Sequence, residues 1–128
     1  MNIHGCDLFE GDKTWAPKLE VSGVDVSVRP EILLKHEDRK RNLTEGAIKL
    51  YIKKEPLTNE AGEYSATLLR KHVEEFSRFG YECNRSYCYV VDVFAGKVFK
   101  APKANKRRWR SIEAACEEIR NRWYRLSA

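Results

Sequence analysis

No apolar run in this chain approaches the roughly 20 residues that a bilayer-spanning helix needs, so a membrane-spanning helix is excluded. The opening residues, MNIHGCDLFEGDK, hold neither a basic stretch nor an apolar one. No secretory signal is therefore expected, and a cytoplasmic location is. Histidine is scarce: His4, His36 and His72 are the whole set, and no two share a ligand-like spacing. The four cysteines, Cys6, Cys83, Cys88 and Cys116, are then expected to stay reduced. Cys83 and Cys88 stand at the long end of a metal-knuckle spacing, but on a strand-like segment and without a matching pair, which speaks against structural zinc. Nothing marks any of the four as an activated thiolate. Glutamine is absent altogether.

What is present supports one folded unit. The 128 residues suit a single domain, and 42% hydrophobic with 11% aromatic residues is enough for one core despite 34% charge. Lysine and arginine number 24 against 19 acids, a net charge of +5, which favours a polyanionic partner at low salt.

Residues 1–18 show little periodicity and read as a loosely attached leader, with Trp15 as its anchor; residues 19–128 read as the domain. In LEVSGVDVSV, Val24, Val26 and Val28 alternate with polar residues, as a half-buried strand does. Ser22-Gly23 before it looks like a turn, consistent with a hairpin from Leu19–Val21. Pro30 suits a strand edge or bend. The run His36 to Asn42 reads as a solvated connection. EGAIKLYIKK alternates cleanly: Ile48, Leu50 and Ile52 point one way, Glu45, Ala47, Lys49 and Tyr51 the other. Thr58 or Asn59 can cap a following helix whose stripe is Ala61, Ser65, Leu68, Leu69, His72, Val73, Phe76 and Phe79, with Gly80 as its C-terminal stop. Tyr87 to Phe94 reads as a central strand covered on both faces, and Ala95-Gly96 as a tight turn into Lys97–Phe99. Trp109, Ile112, Cys116, Ile119, Trp123 and Leu126 recur at helical spacing from about Asn105 onward. The expected fold class is α/β: one mixed β-sheet flanked by two main helices, in the order β-β-α-β-β-α.

Pro30-Glu31 after one strand and Lys49 on the next bring a carboxylate and an ammonium to neighbouring strands. That pattern resembles the PD-(D/E)XK nuclease superfamily, especially its RecB-type branch, over about residues 19 to 126. The resemblance implies a restriction-endonuclease-like fold, with Glu31 as a metal-binding acid and Lys49 as the catalytic lysine. Tyr64 falls roughly where that family has a helical Tyr. Mg²⁺ takes hard oxygen ligands, usually one or two carboxylates plus water and phosphate oxygens. The metal generates the nucleophile, and the lysine offsets charge on the phosphate. Mg²⁺ or Mn²⁺ is expected if the site is active, and no cofactor otherwise.

The chain departs from the family pattern in three ways. Ala47 stands where the second acid belongs. Glu45 lies on the same strand face one pleat away, roughly 7 Å along the strand. Glu63 on the helix is another replacement acid, although its helical position lies nearly opposite the apolar stripe. The family's helical Gln and its first helix have no counterpart.

Lys97, Lys100, Lys103, Lys106, Arg107, Arg108 and Arg110 crowd the approach to the last helix, and Arg120, Arg122 and Arg125 extend the charge. Such a cluster suits phosphate contacts, while Trp109 or Tyr124 suits stacking on an unpaired base. A solvated helix face is the bland alternative, since Glu113, Glu117 and Glu118 can pair with arginines one turn away. Three functional readings remain. One is a nucleic-acid-binding domain, for DNA before RNA, with an incomplete catalytic site. Another is an active Mg²⁺- or Mn²⁺-dependent nuclease using Glu31, Lys49 and either Glu45 or Glu63. The last is a protein-interaction or inhibitor module acting on a nucleic-acid machine. The oligomeric state is left open, as is whether the chain is part of something longer.

Overall fold

A computed structural model of the chain describes residues 1–11, 14, 15 and 17–127, with the side chains of α2 described only through Arg122. The expectations for Trp123, Tyr124, Arg125 and Leu126 lie outside the described side chains. In chain order the elements are β1 (Cys6–Glu10), β2 (Leu19–Val21), β3 (Val24–Val26), β4 (Ile32–Glu37), β5 (Leu43–Tyr51), α1 (Asn59–Glu75), β6 (Glu82–Asp92), β7 (Lys97–Lys100) and α2 (Lys106–Ser127). β1, β4, β5, β6 and β7 form one five-stranded sheet in that spatial order, and β2 and β3 form a separate hairpin. Neighbours are antiparallel except β5 and β6, which run parallel because α1 carries the chain across between them. The protein is thus mixed α/β, with a mixed sheet and two helices.

β5 obeys its alternation. Ala47 joins the main core while Ile48 packs on the other face. The main core gathers Ala47, Cys88, Val90 and Phe99 of the sheet under Ala66, Leu69 and Val73 of α1. Cys116 of α2 and the hairpin residues Leu19 and Val21 complete it. Gly62 lets α1 lie directly on β7, since a methyl there would drive into the Phe99 ring. The helix starts as its sequence suggests: Thr58 Oγ1 accepts from the Ala61 amide at 3.1 Å. Asp92, fully buried, accepts from the Leu57 and Ala95 amides at 2.9 and 3.2 Å and so holds the approach to α1 against the sheet. Among the described residues no helix is long and apolar enough to cross a membrane.

Several expectations need correction. Within the segment read as a loose leader, Cys6–Glu10 are an edge strand, paired to β4 from Cys6 opposite His36 to Glu10 opposite Ile32. Its side chains are mostly exposed, so backbone pairing rather than burial holds it, and the sequence carries little trace of it. The valine-rich strand does not run on into Pro30-Glu31. The hairpin expected from Leu19–Val21 does form through Ser22-Gly23, both with positive φ (49° and 82°), but its second strand ends at Val26. A second break at Arg29-Pro30 starts β4, which takes in His36 and Glu37 of the supposed connection. Two polar residues of β4 lie against rings: Lys35 Nζ is 5.6 Å from the Tyr81 ring centre, and the His36 and Tyr87 ring centres are 4.8 Å apart. The element order therefore has five strands before the first helix. α1 stops at Glu75, with Phe76 as its cap, and Gly80 (φ 77°) instead turns the chain into β6. β6 is central, but the core packs α1 and α2 on one sheet face only. The opposite face holds Leu34, Ile48 and Tyr89 among Ile32, Leu50 and Val91, sheltered in part by Ile3.

Candidate functional site

The site begins with a strained residue. Arg29 has φ 41°, a left-handed conformation unusual for a long side chain and further disfavoured ahead of proline. Holding it costs about 1–3 kcal/mol. The turn aims the Arg29 carbonyl at Lys49, whose Nζ donates to it at 3.0 Å. Glu31 then enters β4 with its amide on the Ile48 carbonyl at 3.1 Å. Its Oε1 lies 2.7 Å from Lys49 Nζ, and its Oε2 accepts from the Leu50 amide at 2.8 Å. Glu31 and Lys49 therefore meet, as their spacing on two adjacent strands predicts. Both remain about one-third exposed, with side-chain accessibilities of 39% and 34%.

Glu45 shares the sheet face of Lys49 but is 3% exposed. Its two oxygens accept from the Arg78 and Phe79 amides at 3.1 and 3.0 Å. The carboxylate thus clamps the loop that follows α1. Ala47, between Glu45 and Lys49 on the strand, is fully buried in the core. Beside Glu45 the sheet is irregular: Gly46 alone faces the β6 bulge from Asn84 to Tyr87, and a methyl on Gly46 would collide with the Tyr87 carbonyl.

Glu31, Lys49 and Glu45 line one cavity of about 450 Å³, together with His72, Trp15 and Phe76. His72 is 6% exposed, and its Nδ1 finds no hydrogen-bond partner among the described residues. Burial pushes its pKa below the usual histidine value, so the imidazole is neutral near pH 7. Trp15 meets Phe76 edge-on with ring centres 6.5 Å apart, while the Arg78 guanidinium lies 5.3 Å from the Trp15 ring centre.

Glu63 does not join this site. Its Oε2 pairs with Arg108 at 2.7 Å, in a second cavity of about 310 Å³ that also includes Tyr64 and Arg107. None of Lys100, Lys103, Lys106, Arg107, Arg108 and Arg110 lines the Glu31–Lys49 cavity. Of these six, Arg108 is committed to Glu63, and the other five are exposed. Trp109 is half-buried against the core, with Lys71 Nζ 5.1 Å from its ring centre, so it packs rather than standing free for stacking.

The donor set does not fit a resident Mg²⁺ or Mn²⁺. Among the described residues no group of three or more His, Cys, Asp or Glu is placed to hold a metal. Glu31 is engaged by an ammonium and an amide, and Glu45 by two amides. The Cys83 and Cys88 sulfurs lie 3.8 Å apart without further ligands around them. The thiol–thiol contact lowers the pKa of Cys83, while that of Cys88 is raised by the same contact and by burial.

Sequence reasoning missed His72 and the Arg29 carbonyl as parts of the site. A histidine inside an otherwise apolar helical stripe was the available signal for the first. The second depends on a backbone conformation that no residue type announces. Comparison of the chain with protein-family models, curated proteins and solved structures finds no match.

Proposed function

We propose that this chain is a nucleic-acid-binding domain on the plan of the PD-(D/E)XK nucleases whose catalytic constellation is incomplete. The observation that carries this reading is the Glu31–Lys49 pair, 2.7 Å apart in the lining of a cavity, with Pro30 immediately before the acid. The chain path is consistent with that plan, since β1, β4 and β5 form an antiparallel run and α1 crosses to a parallel β6. The resemblance calls for a second acid beside the metal; Ala47 offers none, and Glu45 is occupied as a loop clamp. DNA is the proposed partner. The exposed Lys100, Lys103, Lys106, Arg107 and Arg110 supply phosphate contacts that position without reading sequence.

The test is a salt titration of affinity for a short duplex. Each phosphate contact contributes a slope of about 0.9 in log K against log salt. A Lys100→Ala/Lys103→Ala/Lys106→Ala variant should flatten that slope by roughly two to three. Affinity indifferent to salt, or a slope unchanged in the variant, would sink the reading.

One observation favours the protein-interaction reading instead. The sheet face without helices carries Leu8 at 53% and Val98 at 40% exposure, and the β6–β7 turn exposes Phe94 at 60%. A protein partner would cover such side chains.

A further inference from the structure

The cavity beside Glu31 and Lys49 is larger and more apolar than a phosphate needs. Its walls combine Trp15, Phe76 and Phe79 with the basic Arg29 and Lys49 and the acidic Glu10, Glu31 and Glu45. At about 450 Å³ it falls within the span of roughly 300–1,000 Å³ typical of small-molecule sites. His72, 6% exposed, also lines the cavity, and its Nδ1 has no partner among the described residues. A buried polar atom of that kind normally has a hydrogen-bond partner. A ligand suited to all three features is planar, has heteroatoms along one edge and carries an anion. A nucleotide has that chemistry.

Resting on the nucleic-acid reading above, we propose that this cavity receives one unpaired nucleotide of a strand, with its base against Phe76, Phe79 and Trp15, its edge on His72 Nδ1 and its phosphate beside Lys49. A base held in duplex cannot enter, because its faces are stacked and its pairing edge is engaged. Stacking on aromatic side chains tolerates any base, so the cavity selects for unpaired structure rather than for sequence. The aromatic wall then discriminates single strand, frayed end or flipped base from continuous duplex. His72 is a binding residue in this scheme and moves no proton.

The test compares a labelled short single strand with its blunt duplex by fluorescence anisotropy, in EDTA and low salt. Free nucleoside monophosphates serve as competitors. The single strand should bind roughly tenfold more tightly than the duplex. Phe76→Ala and His72→Ala should bring single-strand affinity down to that of the duplex. Should either variant fail to fold, the imidazole resonances of the unmodified protein decide. Single strand should shift those of His72 and leave His4 and His36 in place. Equal binding of single strand and duplex, or an unmoved His72 signal with bound strand, would overturn the cavity proposal and leave nucleic-acid binding intact. Binding of neither would overturn both. Free nucleotides competing as strongly as the strand would reassign the cavity to a mononucleotide and overturn its assignment to a strand.

Discussion

Replacing Glu45 separates a structural acid from a catalytic one. Its carboxylate is 3% exposed and accepts two backbone amides, from Arg78 at 3.1 Å and Phe79 at 3.0 Å. A hydrogen bond to a charged group contributes about 1.5–3 kcal/mol, so two amount to about 3–6 kcal/mol before offsets. Two offsets apply. Removing the side chain also removes the cost of burying a charge, and Arg78 sits at the surface, where its amide can turn to water. Glu45→Ala should therefore destabilise the protein by about 2–4 kcal/mol. Glu45→Gln keeps one acceptor and should cost about half as much. Urea unfolding followed by tryptophan fluorescence gives the comparison, with the slope unchanged and only the midpoint moved. A Glu45→Ala protein within about 0.5 kcal/mol of the unmodified chain would refute the clamp. If that same variant also lost a metal-dependent cutting activity, Glu45 would be the relocated acid.

Other perturbations have equally definite outcomes. Burial lowers the His72 pKa, so the folded state stays neutral where the unfolded chain takes up a proton. The group's stability contribution is thus full above about pH 6.5 and falls as the pH drops, by at most about 1.4 kcal/mol per unit, until the folded pKa is reached. His72→Asn should flatten that part of the urea-midpoint profile between pH 7.5 and 5.5, and an unchanged profile would show that His72 does not set it. Gly46→Ala pushes a methyl into the Tyr87 carbonyl, which lies in backbone and yields little; a loss of about 1–3 kcal/mol in thermal unfolding is expected, and a neutral result would mean that the bulge adjusts freely. The Cys88 contact lowers the pKa of Cys83, whereas the pKa values of Cys6, Cys88 and Cys116 are raised. Limiting iodoacetamide should accordingly label Cys83 first by peptide mass spectrometry, and earlier labelling of Cys6 would contradict that order.

The parts of the fold legible in the sequence are those whose burial writes a period. β5 alternates because one face meets α1 and the other carries Ile48 and Leu50, and α1 shows its stripe because Ala66, Leu69 and Val73 press on the sheet. β1 escaped notice because an edge strand with Leu8 and Phe9 more than 40% exposed needs no such pattern. β4 escaped in part because Lys35 and His36 pack against tyrosine rings, which substitutes polar residues for apolar ones at strand positions. The same division runs through the site. Glu31 and Lys49 were visible as residue types at a spacing on adjacent strands. The strained Arg29, the amides that hold Glu45 and the orphaned nitrogen of His72 arise only when distant segments meet.

The central claim is that this chain holds nucleic acid at Glu31–Lys49 without cutting it. Its most direct test incubates the protein with plasmid and with single-stranded DNA in Mn²⁺, in Mg²⁺ and in EDTA, beside a Lys49→Ala control. The expected result is DNA that is retarded but intact in all three, with retardation of the single strand weakened in the control. Cleavage that requires metal and vanishes in Lys49→Ala would contradict the claim and make the chain an active nuclease.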